Sequence, residues 1–243
     1  MTEEALAVAH AIAATWPPET VLRDGAFDLA LGAGGGNRVS AARLADPASD
    51  GAAIAPGDIA KVAARQRDAG QEALFMVMGW QGPLDRTLAE AGYGTRDATD
   101  MLAAPVETIA APPPRLSCFD IWPPLAVQEE IWADGGIGPA RLAVMHRVQV
   151  PRTSIFGRIA DRPAGTAFVA VHGETAMLHA LEIAARARRQ GLARTMMQAA
   201  AHWAQGQGAR RFSVLVTQAN AGAQGLYASL GMKAVGQYHY RVA

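Results

Sequence analysis

The sequence predicts an α/β chain, α+β in arrangement, built as two halves in which strands and helices are interleaved. Three observations lead there. Pro112, Pro113 and Pro114 form a seam that neither a helix nor a central strand can cross, and it favours an extended spacer. Beyond the seam, β-branched and apolar runs alternate with a stretch whose apolar residues recur at helical spacing. Before it, the tail of the same order returns in weaker form. The expected division is residues 1–111, a linker at 112–115, and residues 116–243.

In the first half, Phe27 to Leu31 reads as a strand, followed by Gly32-Ala33-Gly34-Gly35-Gly36-Asn37. That loop invites a dinucleotide-binding reading, but Asn37 stands where the last glycine of the fingerprint belongs. Arg38 to Ala41 is expected to continue as a strand, which makes the loop a hairpin turn. Asp58 to Asp68 is a helix, Ala73 to Gly79 a strand, Leu84 to Ala91 a helix ending at Gly92-Tyr93, and Thr95 to Ala103 a strand.

In the second half, Cys118 lies at a first strand. Pro123 to Asp134 and Pro139 to Arg147 read as short helices with proline near the first turn of each. Arg152 to Ala160, Gly165 to Val171 and Ala176 to Ile183 are strands, the last two joined as a hairpin around His172-Gly173-Glu174. Leu192, Met196, Ala200 and Trp203 share one face of a helix, with Arg194, Gln198 and His202 on another. Arg211 to Val216 is a strand, Ala221 to Leu230 a helix closed by Gly231, and Gln237 to Val242 a last strand. Leu88 to Tyr93 echoes Leu226 to Met232, each a helix closing on glycine plus an apolar residue, which suggests an internal duplication.

Composition narrows the class. Half of the 243 residues are hydrophobic and 18% are charged, which excludes disorder. The 22 basic and 22 acidic residues cancel, so no global field points to nucleic acid or an anionic membrane. Cys118 is the one cysteine and has no disulfide partner. With an acidic start and no apolar run near the roughly 20 residues that span a bilayer, a cytoplasmic protein is expected. The six histidines form no HxxxH or HExxH pair, so no metal is expected.

The chemistry is carried by Leu181-Glu182-Ile183-Ala184-Ala185-Arg186-Ala187-Arg188-Arg189-Gln190-Gly191-Leu192-Ala193-Arg194: a strand, an arginine-rich turn, a glycine and the start of a helix. A helix N-terminus offers free amides and the positive end of the macrodipole, which together suit a pyrophosphate. An ordinary solvated basic turn is the competing reading of these residues alone. Arg188-x-x-Gly191-x-Ala193, followed by Asn220-Ala221 and Leu226-Tyr227 before Gly231-Met232, resembles the GNAT superfamily of N-acetyltransferases. The resemblance covers Leu116 to Ala243. Ala185 departs from the family's common proline, and Met232 from its phenylalanine.

The resemblance implies the GNAT fold, a mixed central sheet flanked by helices, with a degenerate GNAT-like half before the seam that lacks a cofactor loop. It implies an acetyl-CoA-dependent transfer of an acetyl group to a primary amine of a small molecule or peptide. Matched position by position, the amides of Arg189, Gln190, Gly191, Leu192, Ala193 and Arg194, with Arg188, would bind pyrophosphate. The backbone of Leu181 and Ile183 would pair with pantetheine, Asn220 would touch the cofactor arm, and Tyr227 would donate to the departing thiolate. Glu182 is the expected base, and His179 ranks below it as a core histidine satisfied by its neighbours. Alternation puts these two on opposite faces of their strand unless a bulge intervenes. The rival reading is a non-catalytic acyl-CoA sensor or a structural partner subunit.

Overall fold

A computed structural model describes residues 1–243. The first half runs α1 (Glu3–Thr15), β1 (Thr20–Asp24), β2 (Phe27–Leu31), α2 (Asn37–Ser40), β3 (Arg43–Leu44), α3 (Pro56–Asp68), β4 (Leu74–Met78), α4 (Gly82–Glu90), β5 (Gly94–Pro105) and α5 (Val106–Ile109). The second runs β6 (Cys118–Ile121), α6 (Ala126–Asp134), α7 (Pro139–Arg147), β7 (Arg152–Ile159), β8 (Arg162–His172), β9 (Thr175–Ile183), a 3-10 turn (Ala185–Ala187), α8 (Leu192–Gly206), β10 (Arg211–Thr217), α9 (Ala221–Ser229) and β11 (Lys233–Val242). No helix is long and apolar enough to cross a membrane.

Eight strands form one sheet in the order β4-β11-β5-β10-β9-β8-β7-β6, and β1-β2-β3 form a smaller one. Within the large sheet only β9 and β10 run parallel. Strands from both sides of the proline seam share it. β5 lies between β10 and β11, while β11 lies between β4 and β5. The units β4–α4–β5 and β10–α9–β11 therefore have the same order, and each lays its last strand beside the other's first.

Burial follows this layering. Between the sheet and α8, Leu178, Met196, Phe212 and Val214 belong to the largest apolar cluster, whose burial supplies most of the drive to hold that helix down. On the opposite face α1 packs Val8 and Ile12 against Met76, Met101 and Tyr238. Thr2 caps α1 by accepting from the Ala5 amide at 3.1 Å, with Glu3 and Glu4 favourably placed in the first turn. Trp132 and Phe168, both fully buried, anchor α6 and α7 to the sheet.

Two local expectations need correction. Arg38 to Ala41 does not continue as a strand: Asn37 to Ser40 is a single helical turn, α2. Gly36, at φ +96°, reverses the chain, and Val39 then buries completely beneath the turn, giving it an anchor that a four-residue apolar pattern cannot announce. The helix expected from Pro123 begins at Ala126, because Gln128 reaches back to the Leu125 amide at 3.0 Å and leaves both prolines outside. Helix α1 has no counterpart among the sequence expectations. Its outer positions are alanine as well as its inner ones, so the contrast between its faces is low.

Candidate functional site

The turn after β9 is shaped as an anion cradle. Ala187 is buried and pins the 3-10 turn, Arg189 takes φ +62°, and Gly191 takes φ +83° as the N-cap of α8. No backbone amide from Arg189 to Arg194 finds an acceptor within the protein. A Cβ placed on Gly191 would meet nothing within 4 Å, so the space over these amides is open. Exposed N–H groups at the positive end of a 15-residue helix are the kind of donors that could hold a phosphate group.

The arginines around it have separate tasks. Arg188 donates from Nε to the Ile183 carbonyl at 3.0 Å and from Nη2 to Glu182 Oε1 at 3.0 Å. Arg186 donates to the Pro163 carbonyl at 2.9 Å, and Arg194 to Ser229 Oγ at 2.6 Å, tying α8 to α9. Arg189 alone of the four is exposed with no protein partner.

Beside this turn the sheet opens. β9 and β10 pair only from Thr175–Leu178 to Arg211–Val214, and beyond that the two parallel strands separate. Residues 179–183 keep their partners on β8 but leave the other edge unpaired. A bulge falls within this stretch: the four residues of β9 from His179 to Glu182 oppose three of β8 from Phe168 to Thr166, and Ala180 takes φ +51°. The Ala180 carbonyl accepts from Trp132 Nε1 at 2.7 Å, which fixes the bulge.

The bulge changes which side chains share a face. Leu178 lies in the cluster under α8, and Leu181 and Ile183 pack against that cluster, whereas Met177 and His179 face the other way. Glu182 therefore shares the face of His179, contrary to simple alternation. The two still do not meet. Glu182, paired with Arg188, lines a groove of about 290 Å³ with Gly135 and Ile131 beside the turn after β9.

On the α8 side, Tyr227 has a buried ring, and its hydroxyl has no hydrogen-bond partner in the protein. Burial pushes it up to about 12, so it remains a protonated donor at neutral pH. Asn220 caps α9, its Oδ1 accepting from the Ala223 amide at 3.1 Å. Cys118 is buried, and burial pushes its thiol up to about 11.

On the other face of the sheet, across the β9–β10 gap, a cavity of about 360 Å³ lies between the two halves of the chain. Arg38, Asp97, His179, Leu215, Tyr238 and Tyr240 contribute to its wall. Arg38 Nη1 stands 3.2 Å from His179 Nδ1, and His179 Nε2 stands 2.9 Å from Thr15 Oγ1, which itself donates to the Ala11 carbonyl at 2.6 Å. A guanidinium can only donate, so Nδ1 must accept and Nε2 must carry the proton. The relay thus runs one way, from Arg38 through neutral His179 to Thr15. Burial, and then the charge of Arg38, hold the histidine well below its ordinary value. Arg38, Asp97 and Leu215 carry no motif in the sequence. A larger hollow of about 470 Å³ lies along α8 and β6 near Cys118 and shares no residue with the phosphate turn.

Comparison with known proteins gives residues 117–232 as a match to the Acetyltransferase (GNAT) family. No curated protein matches the sequence significantly. Over the whole chain, a GCN5-related N-acetyltransferase from Kribbella flavida superposes with a TM-score of 0.75 at 17% identity, covering 100% of this chain and 96% of that one. A tandem GNAT protein from the clavulanic acid biosynthesis pathway gives 0.65 at 14% identity, covering 97% and 87%. A GNAT-family acetyltransferase structure from Novosphingobium aromaticivorans gives 0.56 at 15%, covering 95% and 94%. The chain has the GNAT fold, and its residues 117–232 match the GNAT acetyltransferase family.

Proposed function

We propose that this chain, with a GNAT acetyltransferase domain at residues 117–232, is an acetyl-CoA-dependent N-acetyltransferase that acts on a primary amine. The observation that carries the reading is the row of unsatisfied amides from Arg189 to Arg194 beside an unpaired strand edge. In this reading those amides, with Arg188, hold the pyrophosphate. The open edge of Leu181 and Ile183 takes the pantetheine arm as an added strand, and Asn220 lies along the same arm.

Acetyl-CoA supplies an acyl group already activated as a thioester. The neutral amine of the acceptor attacks the carbonyl: a C–N bond forms, the C–S bond breaks, the nitrogen gives up one proton, and the coenzyme leaves as its thiol. The acceptor reaches the gap from the cavity between the halves. Tyr227, kept protonated by burial, donates to the departing sulfur from the α8 side. Glu182, 3.0 Å from Arg188, serves in this proposal to position the phosphate turn, and the proton leaves through solvent in the cavity.

The first half is proposed to be a degenerate GNAT-like half. Its support is the matching order of β4–α4–β5 and β10–α9–β11. The start of α3, the place where a second phosphate loop would stand, is already occupied: Pro56 removes one amide, and Asp58 Oδ2 accepts from the Ala55 amide at 3.0 Å. A carboxylate there repels phosphate. Titration with acetyl-CoA, followed by thiol release in the presence of a panel of amines, tests the proposal. Saturation at one acetyl-CoA per chain with amine-dependent thiol release is expected, and binding without release on every amine would leave an acyl-CoA sensor instead.

A further inference from the structure

The cavity between the halves holds a cation that forms no ion pair. Arg38 is half-buried, its guanidinium carbon lies 5.9 Å from the centroid of the Trp16 ring, and its Nε is enclosed with no hydrogen-bond partner. No carboxylate forms an ion pair with it. Its neighbours, His179 at Nη1 and the tyrosines Tyr238 and Tyr240, carry no charge at neutral pH, so they hold the guanidinium in place without neutralising it. Removing a guanidinium from water without an opposing charge is costly, so a site that keeps one is suited to an anion brought by a ligand. Arg141 strengthens the same field, since a Cβ on Gly36 in the cavity wall would stand 3.6 Å from its Nη2.

An acid stands at the mouth. Asp97 occupies a bulge of β5 at φ +51°, a conformation that costs about 1–3 kcal/mol in a residue other than glycine and that is found where surrounding structure enforces it. Thr99 Oγ1 donates to the Asp97 carbonyl at 2.8 Å, and Asn37 Nδ2 to its Oδ2 at 3.2 Å, so the carboxylate is held next to the residue that precedes Arg38. The volume of about 360 Å³ lies at the small end of ligand pockets, which run from roughly 300 to 1,000 Å³.

We infer that the acceptor is a small amino acid, a molecule carrying both a primary amine and a carboxylate, with the carboxylate on Arg38 and the amine between Asp97 and the β9–β10 gap. This rests on the acetyltransferase reading for its chemistry, but binding can be measured apart from turnover. His179 and Thr15 act on it only by fixing Arg38, as positioning residues.

The test is calorimetry on the full chain saturated with coenzyme A, titrated with the standard α-amino acids and with the amines left when the carboxylate is removed, such as alanine against ethylamine and tyrosine against tyramine. At least one amino acid should bind at least about tenfold more tightly than its decarboxylated partner, the loss expected for a charge-assisted hydrogen bond. Arg38→Gln should abolish that difference, and Arg38→Lys should keep part of it. If Arg38→Gln does not fold, the wild-type pairs and the lysine variant decide. The inference is overturned if no amino acid binds, if the decarboxylated amines bind as well as the amino acids, or if Arg38→Gln leaves the preference intact. Acetyl transfer to neutral amines alone would overturn this inference and leave the acetyltransferase reading standing, whereas amino-acid binding without any thiol release would do the reverse.

Discussion

His179 shows how one residue can be tied to stability and to the site at once. Its folded value lies below the ordinary one because burial and Arg38 both oppose a second proton. The unfolded chain therefore binds more protons below about pH 6.5, and the native state loses stability as pH falls from there toward the folded value, by at most about 1.4 kcal/mol per pH unit. Melting temperatures measured from pH 7.5 down to 5 should fall more steeply for the wild type than for His179→Gln, and parallel curves would remove the histidine from this account. Tyr227 makes a different claim at the same scale. Tyr227→Phe keeps the buried ring, so acetyl-CoA affinity should change little while kcat falls roughly a hundredfold, the lower end of what a positioned general acid contributes, because a thiolate is already a fair leaving group. Unchanged kcat, with chemistry rate-limiting, would make Tyr227 a packing residue.

The elements that matter most are β9 and α8, because their relative placement sets the phosphate turn against the open strand edge. Two glycines control it in different ways. Gly191 is required by its φ of +83° rather than by crowding, since a Cβ there meets open space. Gly191→Ala should cost about 1–2 kcal/mol in backbone strain. Gly191→Glu adds a carboxylate beside the free amides and should weaken acetyl-CoA binding well beyond the alanine variant in calorimetry. Gly165 is required by crowding instead. A Cβ there would stand 2.8 Å from Met196 Sδ on α8 and 3.1 Å from the Glu182 carbonyl on β9. Gly165→Ala should destabilise by about 1–3 kcal/mol, as overpacking does, and should also lower acetyl-CoA affinity because it pushes the helix and the strand apart. Thermal denaturation together with the same titration separates the two effects.

At the scale of the molecule, the two halves are joined through their last strands. β5 pairs with β10 and β11 over most of its length, and β11 pairs with β4. Asp85 on α4 clamps β11 through Arg241 at 2.7 Å and His239 at 2.7 Å, and its carboxyl is held below the usual range, first by the Arg241 hydrogen bonds. Residues 116–243 expressed alone would expose the edge of β10 and leave β11 without either neighbour. Such a fragment should lack the far-ultraviolet signature of the full chain and aggregate, while co-expressed 1–111 and 112–243 should purify together. A monomeric, folded 116–243 fragment that binds acetyl-CoA would show that the first half is dispensable for the fold.

The turn from Arg188 to Gly191 could be read from residues alone because it is local. A strand, a turn, a glycine and a helix succeed one another within about fifteen residues, and the helical period and the need for an unbranched left-handed position are properties of the chain itself. The same holds for the alternation of strands and helices that indicates the fold class. The faces of β9 were not legible, since one inserted residue at Ala180 shifts the parity of Leu181, Glu182 and Ile183, and alanine carries no mark of a bulge. Nor was the cavity. Arg38, Asp97, His179 and Tyr240 are far apart in the chain, and they line one cavity only because β11 crosses between β4 and β5. Local propensity determined the turn between β9 and α8; long-range strand pairing, driven by burial of both sheet faces, determined what stands opposite it.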